Sequence, residues 1–280
     1  MRFERSSRNL ADTNGVMMAK FLRVIVPVFN GGKRFAETMY KSIVAQTMQD
    51  FHLIVVNDAS TDDTADILRG LNRVDVVVTN NENRLAGGSR NVGADYYKHD
   101  EYTLFLDDDD KLWDDQVFER IRECANGKPE LIRLNYHKWS VGKPEPTDAV
   151  LNERIPTEDT PRLIAEDYTR LMPWNICVRT DKLVPFPEGL TLDDGIWGIS
   201  QCDVCETASV VPQACYEWIC RDGSLTTPEN RDYYLQNRYM ELALLYKLKQ
   251  TLEHEWARHA AENRIAWAER MVSGINRGRS

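Results

Sequence analysis

The sequence predicts an α/β fold, a mostly parallel sheet with helices on both faces, plus C-terminal helices. Three observations predict it. Short apolar runs alternate with segments of helical periodicity between residues 21 and 106. Acidic residues, Asp58 and then Asp107, Asp108, Asp109 and Asp110, follow two of those runs, where α/β sheets bind ligands. From residue 231 onward the apolar positions fall at helical spacing.

Residues 1–20 mix charge with small polar side chains without periodicity and read as a flexible N-terminal extension. Residues 21–28 form an apolar run that suits a strand buried on both faces, and residues 33–47 carry Phe35, Met39, Ile43 and Ala45 near helical spacing. A second strand is expected at 52–58, a helix at 61–71, a third strand at 74–79, a helix at 89–97 and a fourth strand at 102–106. Residues 140–172 hold four prolines and little pattern, as an irregular excursion over the active face would. Leu235, Tyr239, Leu242, Leu245, Leu248 and Leu252 then make one helical stripe, and Ala257, Ala261, Ile265, Ala268, Val272 and Ile275 another. The chain divides into the extension, a domain at 21–227 and a helical appendage at 228–280 that packs on the domain or on a second copy, giving a homo-oligomer.

At 280 residues the chain can bury a full core. No stretch approaches the ~18 apolar residues of a membrane span, and the start lacks the apolar core of a signal peptide, so the expected compartment is the cytoplasm. The six cysteines do not resemble a disulfide framework, and the four-residue gap between Cys215 and Cys220 departs from a zinc ribbon's second C-x-x-C. A net charge of -9 excludes broad, non-specific binding to nucleic acid.

After the first strand stand Pro27, Val28, Phe29, Asn30, Gly31 and Gly32, without the G-x-G-x-x-G of a dinucleotide-binding fold. Gly31 and Gly32 suit a turn before a helix. Asp58 ends the second strand ahead of Ser60 and Thr61, which suit the cap of the next helix, so its carboxylate is placed to accept a ring N–H from a base. In FLDDDDKLWDD, Asp109 or Asp110 can cap a helix beginning near Leu112, which leaves Asp107 and Asp108 unexplained. Two carboxylates roughly 7 Å apart on one strand face repel by about 2 kcal/mol at an effective dielectric near 20. A divalent cation, magnesium or manganese, would offset that repulsion. Asp193 and Asp194 precede a glycine and Trp197; they suit either a helix cap or a positioned base.

The blocks IVPVFN, VNDASTD, SRNVG and FLDDDD, continuing through Pro173-Trp174-Asn175, FPEGL, Asp193-Asp194 and Arg221-Asp222-Gly223-Ser224, resemble in order and spacing the family 2 inverting glycosyltransferases. The resemblance covers roughly residues 22–227 and implies a GT-A fold that holds a nucleotide-sugar, most often a UDP-sugar. It implies that Pro27, Phe29 and Asn30 form the base-binding loop and that Asp58 meets the uracil. It makes Asp107 and Asp109 the D-x-D pair, with Asp109 on the metal and Asp108 beside the nucleotide. Arg90 and Arg221 fall where basic residues approach the nucleotide or diphosphate. Asp194 takes the place of the general base, with Asp193, Trp197 and Trp174 walling the acceptor pocket. Two positions depart from the family pattern: Ala59 replaces a common glycine, and Arg84-Leu85 replaces glycines in the donor loop.

The activity so implied is hexosyl transfer with inversion to a hydroxyl of a glycan or lipid-linked glycan. A protein or a hydroxymethylated DNA base is an alternative acceptor; the tail at 254–280 has five arginines against three glutamates. A sugar nucleotidyltransferase would carry its glycine-rich loop after the first strand, whereas Gly87 and Gly88 follow the third. A non-catalytic sugar-nucleotide or metal-binding module would be favoured by loss of Asp194 or the D-x-D pair, and both are present.

Overall fold

The computed structural model describes residues 2–5, 18–139, 148–149, 171–220 and 231–277. In chain order the elements are β1 (Arg2–Arg5), β2 (Leu22–Val28), α1 (Gly32–Glu37), α2 (Met39–Val44), β3 (Phe51–Asn57), α3 (Thr64–Arg69), β4 (Val76–Thr79) and α4 (Leu85–Ala94). They continue with β5 (Tyr102–Phe105), β6 (Lys111–Leu112), α5 (Val117–Cys124), β7 (Leu131–Trp139), β8 (Asp148–Ala149), β9 (Ile176–Arg179), α6 (Asp194–Asp203), β10 (Ala208–Ile219), α7 (Arg231–Leu248) and α8 (Glu255–Arg277).

One sheet runs β1-β4-β3-β2-β5-β9-β7-β10-β6, with β8 on β7. Its β4-β3-β2-β5 portion is parallel, as the alternation of strand and helix requires. Beyond β5 the pairing is mixed: β9 is antiparallel to both neighbours and β10 runs parallel to β7. Central strands are apolar on both faces. Val24, Val26 and Val28 of β2 pack with Phe35 and Met39 in one core, while Ile25 packs with Ile54, Val56 and Val92 in the other.

Several expectations are corrected. Arg2–Arg5, expected within a flexible extension, pairs antiparallel with β4 and covers what would be an open sheet edge. The other residues of the extension up to 17 lie outside the described residues, as does most of the 140–172 excursion. The single helix expected at 33–47 breaks at Thr38, whose side-chain hydroxyl donates to the Arg34 carbonyl at 2.8 Å. No helix starts near Leu112: Asp110 accepts the Ile219 amide at 2.6 Å, which keeps Lys111–Leu112 extended against β10, and the helix begins at Val117. α4 begins at Leu85, four residues before the expected start.

The terminal helices pack against α6 and the second core through Leu245, Leu252, Ala257, Ala261 and Ile265. Tyr239, expected in the inward stripe, is exposed, and the inward positions of α7 include the polar Asn237, Arg238 and Glu241. No described helix is long and apolar enough to cross a membrane.

Ala59 and Leu85, the two departures from the glycine pattern, both take positive φ, 56° and 61°. A side chain in that conformation costs roughly 1–2 kcal/mol, against roughly 0.5–1 kcal/mol of extra freedom that glycine adds to the unfolded chain. Ala59→Gly is therefore expected to leave stability unchanged or raise it by about 1 kcal/mol, whereas Ala65→Gly inside α3 lowers it by about 0.5–1 kcal/mol. Denaturant unfolding of both variants checks this; equal losses would contradict it.

Candidate active site

The carboxyl ends of β2, β3 and β5 open into a cleft of about 440 Å³ lined by Pro27, Phe29, Asp58, Arg90 and the 107–109 aspartates, with Thr191, Asp193 and Asp194 across from them. The parallel strands bring these residues together. Phe29 is half exposed at the cleft, beyond the last residue of β2.

The loops after β2 and β3 are tied to each other. Thr64 Oγ1 accepts the amides of Gly31 and Gly32 at 3.1 and 2.9 Å, and Asn30 Oδ1 accepts the Thr61 amide at 2.8 Å. Asn30 thus serves loop geometry, at an exposed position directly after the cleft-lining Phe29. Asp58 is buried; its Oδ1 accepts both Asn80 Nδ2 and the Arg84 amide at 2.8 Å. That leaves Oδ2 as the carboxylate oxygen for a ligand in the cleft.

The four consecutive aspartates diverge. Asp107 Oδ1 accepts from Arg90 Nη2 at 2.8 Å, and Asp108 Oδ2 from Arg34 Nη2 at 2.6 Å. Asp110 is buried and accepts the Tyr216 hydroxyl at 2.9 Å as well as the Ile219 amide. Oxygens of Asp107, Asp109 and Asp110 lie within 4.8 Å of one another. Burial pushes the Asp107 carboxyl up to about 6, with the Arg90 charge opposing and Asp109 and Asp194 adding to the rise. Burial likewise pushes Asp108 up to about 7 against the pull of Arg34, and lifts Asp110 well above the usual range, with Asp109 and Asp107 adding. A group of carboxylates that resists ionising together has the donor chemistry of a hard divalent cation site, and the residues fit one.

Arg90, on α4, sits on the floor of the cleft between the two acidic segments. Its Nη1 lies 3.6 Å from both Asp193 Oδ2 and Asp194 Oδ1. Burial opposes its charge, yet Asp107, Asp193 and Asp194 together hold its pKa above the ordinary value. The guanidinium lines the cleft and also faces inward to these carboxylates, while its Nε and Nη1 make no hydrogen bond among the described residues. Asp193 is buried, and burial with the neighbouring Asp194 charge raises its pKa well above the usual range. A Cβ at Gly87 would lie 2.2 Å from Asp193 Oδ2, so only glycine in α4 admits that carboxylate. Asp194 is the more open of the pair, its side chain 35% exposed at the first residue of α6; neither side chain caps the helix.

Two further expectations are corrected. Trp197 is fully buried, stacked on Phe186 at 4.5 Å with its Nε1 donating to Val184, because α6 turns that face into the core. Trp174 is buried against Tyr216 at 4.3 Å and braces the residue that holds Asp110. Neither walls an acceptor pocket. Arg221 lies outside the described residues. Arg34, Asn80 and Tyr216 are not expected at the site from sequence; their link to it is long-range pairing, which no local pattern announces.

The model of Glycosyl transferase family 2 matches residues 23–182. Uncharacterized glycosyltransferase YibD of Escherichia coli (strain K12) is 32% identical over 246 residues, which are 81% of this chain and 70% of that protein. Succinoglycan biosynthesis protein ExoW of Rhizobium meliloti (strain 1021) is 37% identical over 100 residues, and the chain spans only 31% of its length. Among solved structures, Staphylococcus aureus TarS 1-349 in complex with UDP-GlcNAc superposes with a TM-score of 0.68 at 20% identity, covering 92% of this chain and 71% of that one. The Pyrobaculum calidifontis mannosyltransferase PcManGT, in complex with GDP-Man and Mn2+, gives 0.61 at 14% identity, covering 92% and 74%. Those two likenesses show the GT-A fold. With the family model matching more than half its length, the chain belongs to glycosyl transferase family 2.

Proposed function

We propose that the protein transfers a sugar from a nucleotide-sugar, a UDP-sugar, to an acceptor hydroxyl with inversion at the anomeric carbon, assisted by a divalent cation. The observation that carries this reading is the pairing of an acidic metal-type cluster with a separate exposed carboxylate, Asp194, across one cleft. A relative from Campylobacter jejuni, 37% identical over 95 residues, is a glucosyltransferase acting on an undecaprenol-linked glycan, which supports a glycan or lipid-linked glycan acceptor.

In this reading Phe29 stacks on the base and Asp58 Oδ2 accepts its N3–H, which favours uracil. Asp107, Asp109 and Asp110 would hold manganese or magnesium, which when bound neutralises charge on the diphosphate. Asp194 takes the proton as the acceptor oxygen attacks the anomeric carbon, while the bond from that carbon to the diphosphate breaks and UDP leaves with the electron pair. Arg90 and Asp193 hold Asp194 in place.

Asp194→Asn is expected to lower kcat by about 10²- to 10⁴-fold with donor Kd nearly unchanged. The checks are kinetics beside calorimetry with UDP and NMR of the product's anomeric configuration. Near-normal transfer by the variant, or retained configuration, would overturn the mechanism.

The acidic cluster also makes stability depend on pH. The folded carboxyls of Asp107, at about 6, and Asp108, at about 7, bind protons more tightly than the ordinary 3.8 of the unfolded chain. Between about pH 4 and 7 the folded state therefore holds more protons, and stability falls as pH rises through that window. Manganese, which needs the ionised carboxylates, is expected to raise Tm more at about pH 7.5 than at about pH 5. Equal Tm increments at both pH values would contradict a site built from these aspartates.

A further inference from the structure

The segment that brings Asp193 and Asp194 to the cleft is held on both flanks by the C-terminal helices. On its N-terminal side, Asn237 Oδ1 on α7 accepts the Thr191 amide at 3.0 Å, and the hydroxyls of Thr191 and Tyr233 share a hydrogen bond. Asn237 is itself buried and oriented by donating to the Tyr233 carbonyl at 2.9 Å. On the C-terminal side, Gly195 lies flat against the Arg264 guanidinium of α8, where an added Cβ would come within 2.7 Å of Cζ. Arg264 is in turn held at 2.7 Å by Glu241 of α7, which is fully buried and also pairs with Arg238. One residue, Leu192, separates Thr191 from Asp193, so an anchored amide at 191 and a seated backbone at 195 leave little freedom to the carboxylates between them.

We infer that Asn237 is a positioning residue for transfer, which fixes through the Thr191 amide where Asp194 stands in the cleft. The inference rests on the reading of Asp194 as the base and adds that the terminal helices, outside the matched family segment, are part of the catalytic apparatus. The amide needs an acceptor at that point. Asn237 supplies it from an element anchored by a buried ionic network, so the position is inherited from α7 and α8 and not from the loop alone.

The test uses the full chain with Asn237→Leu, which keeps the branched shape and removes the acceptor, Asn237→Asp, which keeps an acceptor oxygen, and Tyr233→Phe at an exposed ring. Asn237→Leu is expected to lower kcat by about 10- to 100-fold while the Kd of UDP with manganese stays within about twofold. Asn237→Asp should recover most of the rate, and Tyr233→Phe should reduce it by less. Hydrogen exchange should accelerate at the Thr191 amide in Asn237→Leu and stay unchanged along α7. Exchange reads the clasp independently of chemistry: a fully active Asp194→Asn would remove the base assignment while faster exchange at Thr191 still supported the anchoring. Wild-type kcat in both Asn237→Leu and Tyr233→Phe, or loss of rate only in step with loss of UDP binding, would overturn the inference. If Asn237→Leu fails to fold, Asn237→Ala, which also removes the acceptor, decides it: wild-type kcat with wild-type exchange at the Thr191 amide in that variant would overturn the inference.

Discussion

The site depends on one buried guanidinium. Arg90 faces Asp107 from the end of β5 and Asp193 and Asp194 from the start of α6, two acidic segments that would otherwise repel across the floor of the cleft. A planar fork can meet several carboxylates at once, which a single ammonium cannot. Because α4 is the helix that carries it, the packing of α4 on the parallel strands sets the distance between the acidic cluster and the exposed carboxylate opposite.

Around that centre the chain uses two different ways of holding charge. Asp108 and Asp107 are each matched by an arginine, whereas Asp110 is held by a hydroxyl and a backbone amide. The matched pairs offset part of the burial penalty and leave the carboxyls raised, near 6 and 7. Carboxyls kept in this state have the donor chemistry that a hard divalent cation would satisfy, in keeping with the proposed metal site. The strain at Ala59 and Leu85 has the same character: both stand beside the cleft, where backbone cost is tolerated for the sake of loop geometry.

Much of this was legible in the sequence because it is local. Apolar runs mark the parallel strands to within two residues, and their ends carry Asp58 and the 107–110 aspartates. What was not legible is pairing across distance. The inward turn of Arg90, the Arg34 contact to Asp108 and the Tyr216 contact to Asp110 join residues 17, 74 and 106 positions apart. The burial of Trp174 and Trp197 is not legible either, because an aromatic beside a glycine or an asparagine looks the same in sequence whether it faces solvent or core. α7 misled for a related reason: its inward face is partly polar, so the apolar stripe pointed to Tyr239 and passed over Asn237 and Glu241.

The central claim is that the Arg90 fork joins the two acidic halves of the cleft into one working unit. Its most direct test is kcat for transfer together with the Kd of UDP and manganese in Arg90→Lys, which keeps the charge and removes the fork. Both should worsen by about 10-fold or more, since one ammonium cannot satisfy Asp107 and still sit between Asp193 and Asp194. Wild-type values for both in Arg90→Lys would contradict it.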